Sequence, residues 1–187
     1  MVKKKIAVLV GSLRKESFSR KIAKVLMTLA PAAWIMEEIE IGELPLYNQD
    51  FDDENTPPAA WTEFRNRMQN FDAVLFVTPE YNRSVPAVLK NALDVGSRPY
   101  GQSIWNGKPG AVVSVSPGAL SAFGANHHLR QSLVFLNIPT MQQPEAYIGN
   151  VATLFDATGV LNNESTHQFL QKIMDAFAAW VETNGMR

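Results

Sequence analysis

The sequence predicts an α/β fold: a mostly parallel sheet with helices packed on both of its faces. Three observations lead there. Short apolar runs at Ile6–Val10, Asp72–Thr78 and Gly110–Val115 are rich in β-branched residues and hardly alternate, as strands buried on both faces do. Amphipathic helical patterns lie between them, so strand and helix alternate along the chain. The chain has 187 residues, 46% hydrophobic and 19% charged. That suffices for one well-buried domain over residues 1–187, which would remove roughly 70% of the unfolded surface from water.

The elements follow in order. Ile6–Val10 is the first strand, ended by Gly11. A helix begins at Ser17, with Ile22, Leu26 and Leu29 at helical spacing and Pro31 as its stop. Trp34–Ile41 alternates more, as an edge strand does. Gly42–Pro58 reads as a long loop whose acidic patch, Asp50 to Glu54, is expected to be solvated. Thr56 is the expected N-cap of the next helix, with Pro57 or Pro58 in its first turn and its end near Asn70. Asp72–Thr78 is the third strand and Pro79–Arg83 a turn. Ser84 is expected to cap a helix with Pro86 in its first turn, running to about Gly96. After the Arg98–Lys108 loop comes the fourth strand, Gly110–Val115. The small-residue loop Ser116–Gly124 leads into a helix from about Ala125 to Leu136. A fifth strand is expected near Pro139–Gln143, and Asn150–Asn163 reads as irregular. The last helix spans Glu164–Glu182, with Phe169, Ile173, Phe177 and Val181 on one face. Right-handed crossovers and five strands favour the order 2-1-3-4-5 over the six-stranded dinucleotide-binding order.

Composition excludes several functions. Seventeen Lys and Arg against eighteen Asp and Glu give a net charge of −1. A nucleic-acid binder would carry a basic excess, so no such partner is expected. With no Cys there are no disulfides, iron–sulfur clusters or thiol catalysis. The basic N-terminus precedes an apolar run too short for a signal peptide, and no stretch approaches the ~20 apolar residues of a membrane span. A cytoplasmic protein without a membrane partner is expected. His127 and His128 are adjacent and point roughly 100° apart on a helix, so no metal site is expected. No Ser sits in a Gly-x-Ser-x-Gly elbow, which argues against a hydrolase. A receiver domain would need acidic residues after the first strand, where this chain has Gly11-Ser12.

In an open α/β sheet, ligands bind beyond the carboxyl ends of the strands, near the switch point between strands 1 and 3. Three loops lie there. Gly11 to Arg20 runs from a strand into a helix N-terminus, where free N–H groups, the serines and Arg14 suit a phosphate. It is neither a Walker A loop nor Gly-x-Gly-x-x-Gly. A helix cap with solvated Ser and Arg is the plainer reading. Thr78 to Ser84 is stiffened by Pro79 and Pro86, and would either present backbone groups and Tyr81 to a planar heterocycle or form a tight turn. The third loop, Ser116 to Gly124, has small residues that allow close approach of a ligand, or mere flexibility.

Taken in order, Gly11-Ser12-Leu13-Arg14, Ser17-Phe18, Pro79-Glu80-Tyr81-Asn82, Ser84, Pro86 and Leu89 to Asp94 resemble the NAD(P)H-dependent FMN reductase family, within it the quinone and chromate reductase branch. The likeness continues through Gly107-Lys108-Pro109 and His128-Leu129-Arg130-Gln131, to about Gly149. The resemblance implies a flavodoxin-like three-layer sandwich holding non-covalent FMN. It implies that Ser12, Arg14, Ser17, Phe18 and Ser19 hold the FMN phosphate, that Pro79, Glu80, Tyr81 and Asn82 line the isoalloxazine ring, and that Ser116 approaches its polar edge. Relatives often carry Asn where this chain has Ser19. NADPH or NADH would supply hydride. A quinone, or else an azo or nitro compound, chromate or free flavin, would accept electrons. No side chain would act as catalytic acid or base, since the flavin carries the chemistry. A flavodoxin-type electron carrier without NAD(P)H turnover is the alternative, and a regulatory module that has lost its cofactor is a further rival. The resemblance also implies a homodimer or homotetramer, with Val85–Val95 and Leu133–Leu136 as candidate contact surfaces.

Overall fold

The computed structural model describes residues 3–185. Its core is a five-stranded parallel sheet of β1 (Lys4–Val10), β2 (Trp34–Glu38), β3 (Ala73–Thr78), β4 (Gly110–Val115) and β5 (Ala146–Ile148), in the order β2-β1-β3-β4-β5. The helices are α1 (Phe18–Thr28), α2 (Gln49–Asp53), α3 (Ala59–Gln69), α4 (Ala87–Gly96), α5 (Phe123–Phe135) and α6 (Glu164–Asn184).

Strand alternation divides the core between two layers. Ile6, Val8, Val10, Leu75 and Val113 face α1 and α6, where they meet Ile22, Leu26, Ile173 and Phe177. Ala7, Leu9, Val74, Phe76 and Val112 face α3, α4 and α5, where they meet Trp61, Phe64, Leu93 and Leu129. Both faces are covered, which is why every residue of β3 and β4 is buried and these strands read as apolar runs. Each fully buried Leu, Ile or Phe contributes about 1.5–3 kcal/mol. Register pairs Val10 with Val77 and Thr78 with Ser114, so β1, β3 and β4 end along one rim.

Five expectations need correction. The fifth strand lies at Ala146–Ile148, not Pro139–Gln143: the chain meets β4 once at Thr140 opposite Gly110, then leaves it. Pro144 has no N–H to give a ladder, so pairing resumes only beyond it. β2 stops at Glu38: Ile39 N still donates to Val8 O of β1 at 2.9 Å, but the Ile39 and Ile41 side chains join the core shared with Trp61 and Phe64. Gly42–Pro58 is not all loop, since α2 forms behind the Asn48 side chain, which accepts from Asp50 N. Neither Thr56 nor Ser84 is a helix N-cap; Pro58 and Pro86 hold those positions with extended backbone and no side-chain cap. The acidic patch is not wholly solvated: Asp52 forms a two-pronged ion pair with Arg65, at 2.8 Å for each prong, with side chains 5% and 10% exposed.

The Asn150–Asn163 segment holds one 3-10 turn, Val151–Thr153, and a bridge between Phe155 and Leu161. Among the described residues, no helix is long and apolar enough to cross a membrane.

Candidate functional site

The loops after β1, β3 and β4 converge at the rim where the sheet turns from β1 to β2 on one side and to β3 on the other. The first carries the sequence-expected phosphate residues. Ser17 caps α1, its Oγ accepting from Arg20 N at 3.1 Å. Ser12, Ser17 and Ser19 are buried, Phe18 is half-buried and Arg14 is exposed. From Ser12 to Ser19, no backbone N–H donates to a protein acceptor among the described residues. Neither does the Ser12 or Ser19 hydroxyl make a hydrogen bond there. Such a run of free donors at the positive end of a helix dipole is a cradle for an anion. Arg14 has no ion-pair partner among the described residues and stands beside the cradle.

The second loop is a two-residue hairpin turn. Tyr81 N donates to Ser84 O and Ser84 N to Tyr81 O, at 3.1 and 3.0 Å. Asn82 and Arg83 at its tip have φ of 50° and 64°. Asn tolerates that left-handed conformation, whereas Arg there costs on the order of 1 kcal/mol. The N–H groups of Glu80, Asn82 and Arg83 donate to no protein acceptor among the described residues. Glu80 is turned away from solvent: its carboxylate accepts from Ala125 N at 3.0 Å, near the start of α5, and pairs with Arg83 at 3.1 Å. It ties the second loop to the helix following the third. Pro79 is half-buried and Tyr81 exposed.

Ser116, in the third loop, is fully engaged by its own corner. Its N–H donates to Ile148 O, its carbonyl accepts from Val151 N, and its Oγ accepts from Gly118 N at 3.0 Å. Only its hydroxyl proton is left for a ligand. His128 Nδ1 lies 3.0 Å from the Ser84 hydroxyl, and His127 Nε2 lies 3.0 Å from the Tyr147 hydroxyl, so the two imidazoles serve different neighbours. Tyr147 donates to Glu145; burial and that carboxylate push its pKa up to about 12.

A cleft of about 590 Å³ adjoins the cradle, lined by Leu13, Arg14, Leu46, Tyr81, Pro86 and Val88. The sequence reading missed the segment that walls it, residues 42–47. A Pro-Leu pair in an otherwise polar stretch, together with Asn91 in the fourth helix, was the available signal.

The family model of the NADPH-dependent FMN reductase matches residues 4–153. A quinone reductase of Pseudomonas putida is 63% identical over 179 residues, 96% of this chain and 95% of that one. A 2-hydroxy-1,4-benzoquinone reductase of a Burkholderia species is 48% identical over 177 residues, 95% of this chain and 96% of that one. Among solved structures, FerB of Paracoccus denitrificans, a flavoenzyme NAD(P)H:(acceptor) oxidoreductase, superposes with a TM-score of 0.90 at 43% identity, covering 98% of this chain and 100% of that one.

Proposed function

This chain belongs to the NADPH-dependent FMN reductase family, and on that premise we propose that it carries electrons from NAD(P)H to a quinone. It is an FMN-dependent oxidoreductase. The observation that carries the residue-level reading is the run of unpartnered N–H groups from Ser12 to Ser19, continuous with the apolar cleft. Ser12, Ser17, Ser19 and the adjoining N–H groups would hold the phosphate, with Phe18 closing the cradle and Arg14 meeting its charge. Pro79, Glu80, Tyr81 and Asn82 would line the ring. There the free N–H groups of Glu80 and Asn82 supply directed donors, and the Ser116 hydroxyl supplies one more. When bound, FMN would supply the redox chemistry, hydride acceptance from NAD(P)H and two-electron reduction of the acceptor. The protein's part is to bind, orient and keep water from the ring. The named activities of the Pseudomonas and Burkholderia relatives support a quinone as acceptor. We also place a dimer or tetramer contact on the α4–α5 face.

The test is a visible spectrum of the FMN-reconstituted protein, before and after anaerobic NADPH and then after a quinone. A bound-flavin spectrum that bleaches with NADPH and returns with quinone is expected. Failure to bind flavin would remove the cradle. Bound flavin that NADPH leaves coloured would point instead to an electron carrier.

A further inference from the structure

Residues 42–47, a turn at 42–43 and an irregular stretch after it, run from the end of the β2 segment to α2 as a strap along the cleft. Gly42 lies against the first loop: a Cβ there would come within 2.9 Å of Leu13 Cδ2, so a larger residue would push the exposed Leu13 side chain aside. From that point the strap is fastened by side chains of α4 and α3. Asn91 of α4, itself buried, accepts from Tyr47 N at 2.9 Å and donates to the carbonyls of Leu44 and Pro45, at 3.1 Å each. Trp61 Nε1 donates to the Pro45 carbonyl at 2.9 Å, and the Tyr47 ring stacks on Trp61 with centroids 5.2 Å apart. Just beyond, the Asp52–Arg65 pair locks α2 to α3. The strap's inner, polar edge is thus consumed by α3 and α4.

Its outer edge is different in kind. Leu46 is 77% exposed at the cleft, facing the same space as Leu13 and Tyr81. The side chains the strap brings to the cleft, Leu44 and Leu46, are apolar, whereas the loops at 12–19 and 79–83 bring runs of free N–H groups. A phosphate or a polar ring edge is served by those loops. What an exposed Leu on a rigid backing recognises is an apolar ring.

We propose that the 42–47 strap is the acceptor-side wall of the cleft, that Leu46 selects acceptors with an apolar second ring, and that Asn91 is the positioning residue that sets the strap's height. The proposal rests on the quinone-reductase reading and adds the determinant of acceptor class.

Two variants test it on the FMN-loaded protein. Leu46→Ser alters an exposed side chain and leaves the buried contacts intact. It should lower kcat/KM about tenfold for 1,4-naphthoquinone and less than threefold for 1,4-benzoquinone, which lacks the second ring. Asn91→Asp keeps the acceptor for Tyr47 N but sets a carboxylate against two carbonyls. Amide exchange across 44–47 should then become at least tenfold faster, and the preference for naphthoquinone should fall as it does in Leu46→Ser. Equal losses for both quinones, or unchanged ratios, would overturn the role of Leu46. Unchanged exchange in Asn91→Asp would overturn the clamp. If NADPH fails to bleach the wild-type flavin, the function reading fails instead, and the exchange measurement still decides whether Asn91 fastens the strap.

Discussion

Arg14 stands beside a cradle whose other donors are dipoles, so in the proposed site it would be the full positive charge that meets the phosphate dianion. Arg14→Ala should weaken FMN binding by about 1.5–3 kcal/mol, a factor of roughly ten to a hundred. Quenching of flavin fluorescence on titration reads this directly, and an unchanged Kd would take Arg14 out of the site. That the serines and Arg14 share one loop with free N–H groups was legible in sequence, because a strand running through a short loop into a helix fixes where such groups fall. Glu80 was not legible in the same way. Its partner, Ala125 N, is 45 residues distant, and only the fold brings the two together. Tyr147 is a second residue whose surroundings make a prediction. Its pKa is pushed from 10.0 to about 12, first by burial and then by its bond to Glu145. Below pH 10 both folded and unfolded chains keep the proton, and its contribution to stability is complete. Between pH 10 and 12 the unfolded chain releases a proton that the native state retains, so stability falls as pH rises. Tyr147→Phe should therefore flatten the decline in Tm across that window, and an unaltered slope would show that other groups cause it.

The strap and α2 show at the scale of elements what a buried polar network costs and gives. Asn91 and Trp61 bond the Leu44, Pro45 and Tyr47 backbone groups of the strap and Arg65 pairs with Asp52, yet the Tyr47 hydroxyl is buried with no hydrogen-bond partner among the described residues. Burial, then the nearby Asp52, hold its pKa above 10.0. A buried, unmatched hydroxyl is a penalty on the order of 1–3 kcal/mol, and removing it while keeping the ring restores the stack on Trp61 without that cost. Tyr47→Phe should be neutral or stabilise the protein by about 1 kcal/mol in urea unfolding; a loss of more than that would reveal a partner for the hydroxyl. The same segment marks the limit of sequence reading. The buried strands β1, β3 and β4 and the helices α1 and α6 follow from apolar periodicity, because both faces of the sheet and one face of each helix are covered. β5 and α2 do not, since each is three to five residues long and is set by partners distant in sequence: β5 by the edge of β4, α2 by Arg65. Proline signals led to the right helices but to the wrong caps, because an extended proline can itself start a helix without a side-chain acceptor.

At the scale of the whole molecule, one face remains apolar. Val134 and Phe135, at the end of α5, are 76% and 83% exposed. Phe135 borders a cavity of about 600 Å³ between α4 and α5, with Leu93 and Leu136 in its walls and Lys90, Asp94 and Arg98 around it. An apolar centre ringed by charges of both signs is the make-up of a self-complementary contact. In a two-fold contact each apolar residue is buried twice. Two phenylalanines at about 1.5 kcal/mol or more each contribute at least ~3 kcal/mol, a factor above a hundred in the dimer Kd. Phe135→Glu would replace that gain with the cost of burying two charges in the contact. Sedimentation of the wild-type protein should give a multiple of 20.8 kDa. The variant should sediment near 20.8 kDa at concentrations where the wild type stays associated, with its circular dichroism unchanged because the side chain lies outside both core layers. An associated Phe135→Glu protein would move the contact off this face. A monomeric wild type would instead leave the α4–α5 cavity open to solvent, with His128 and its partner Ser84 at its edge beside the 79–83 turn.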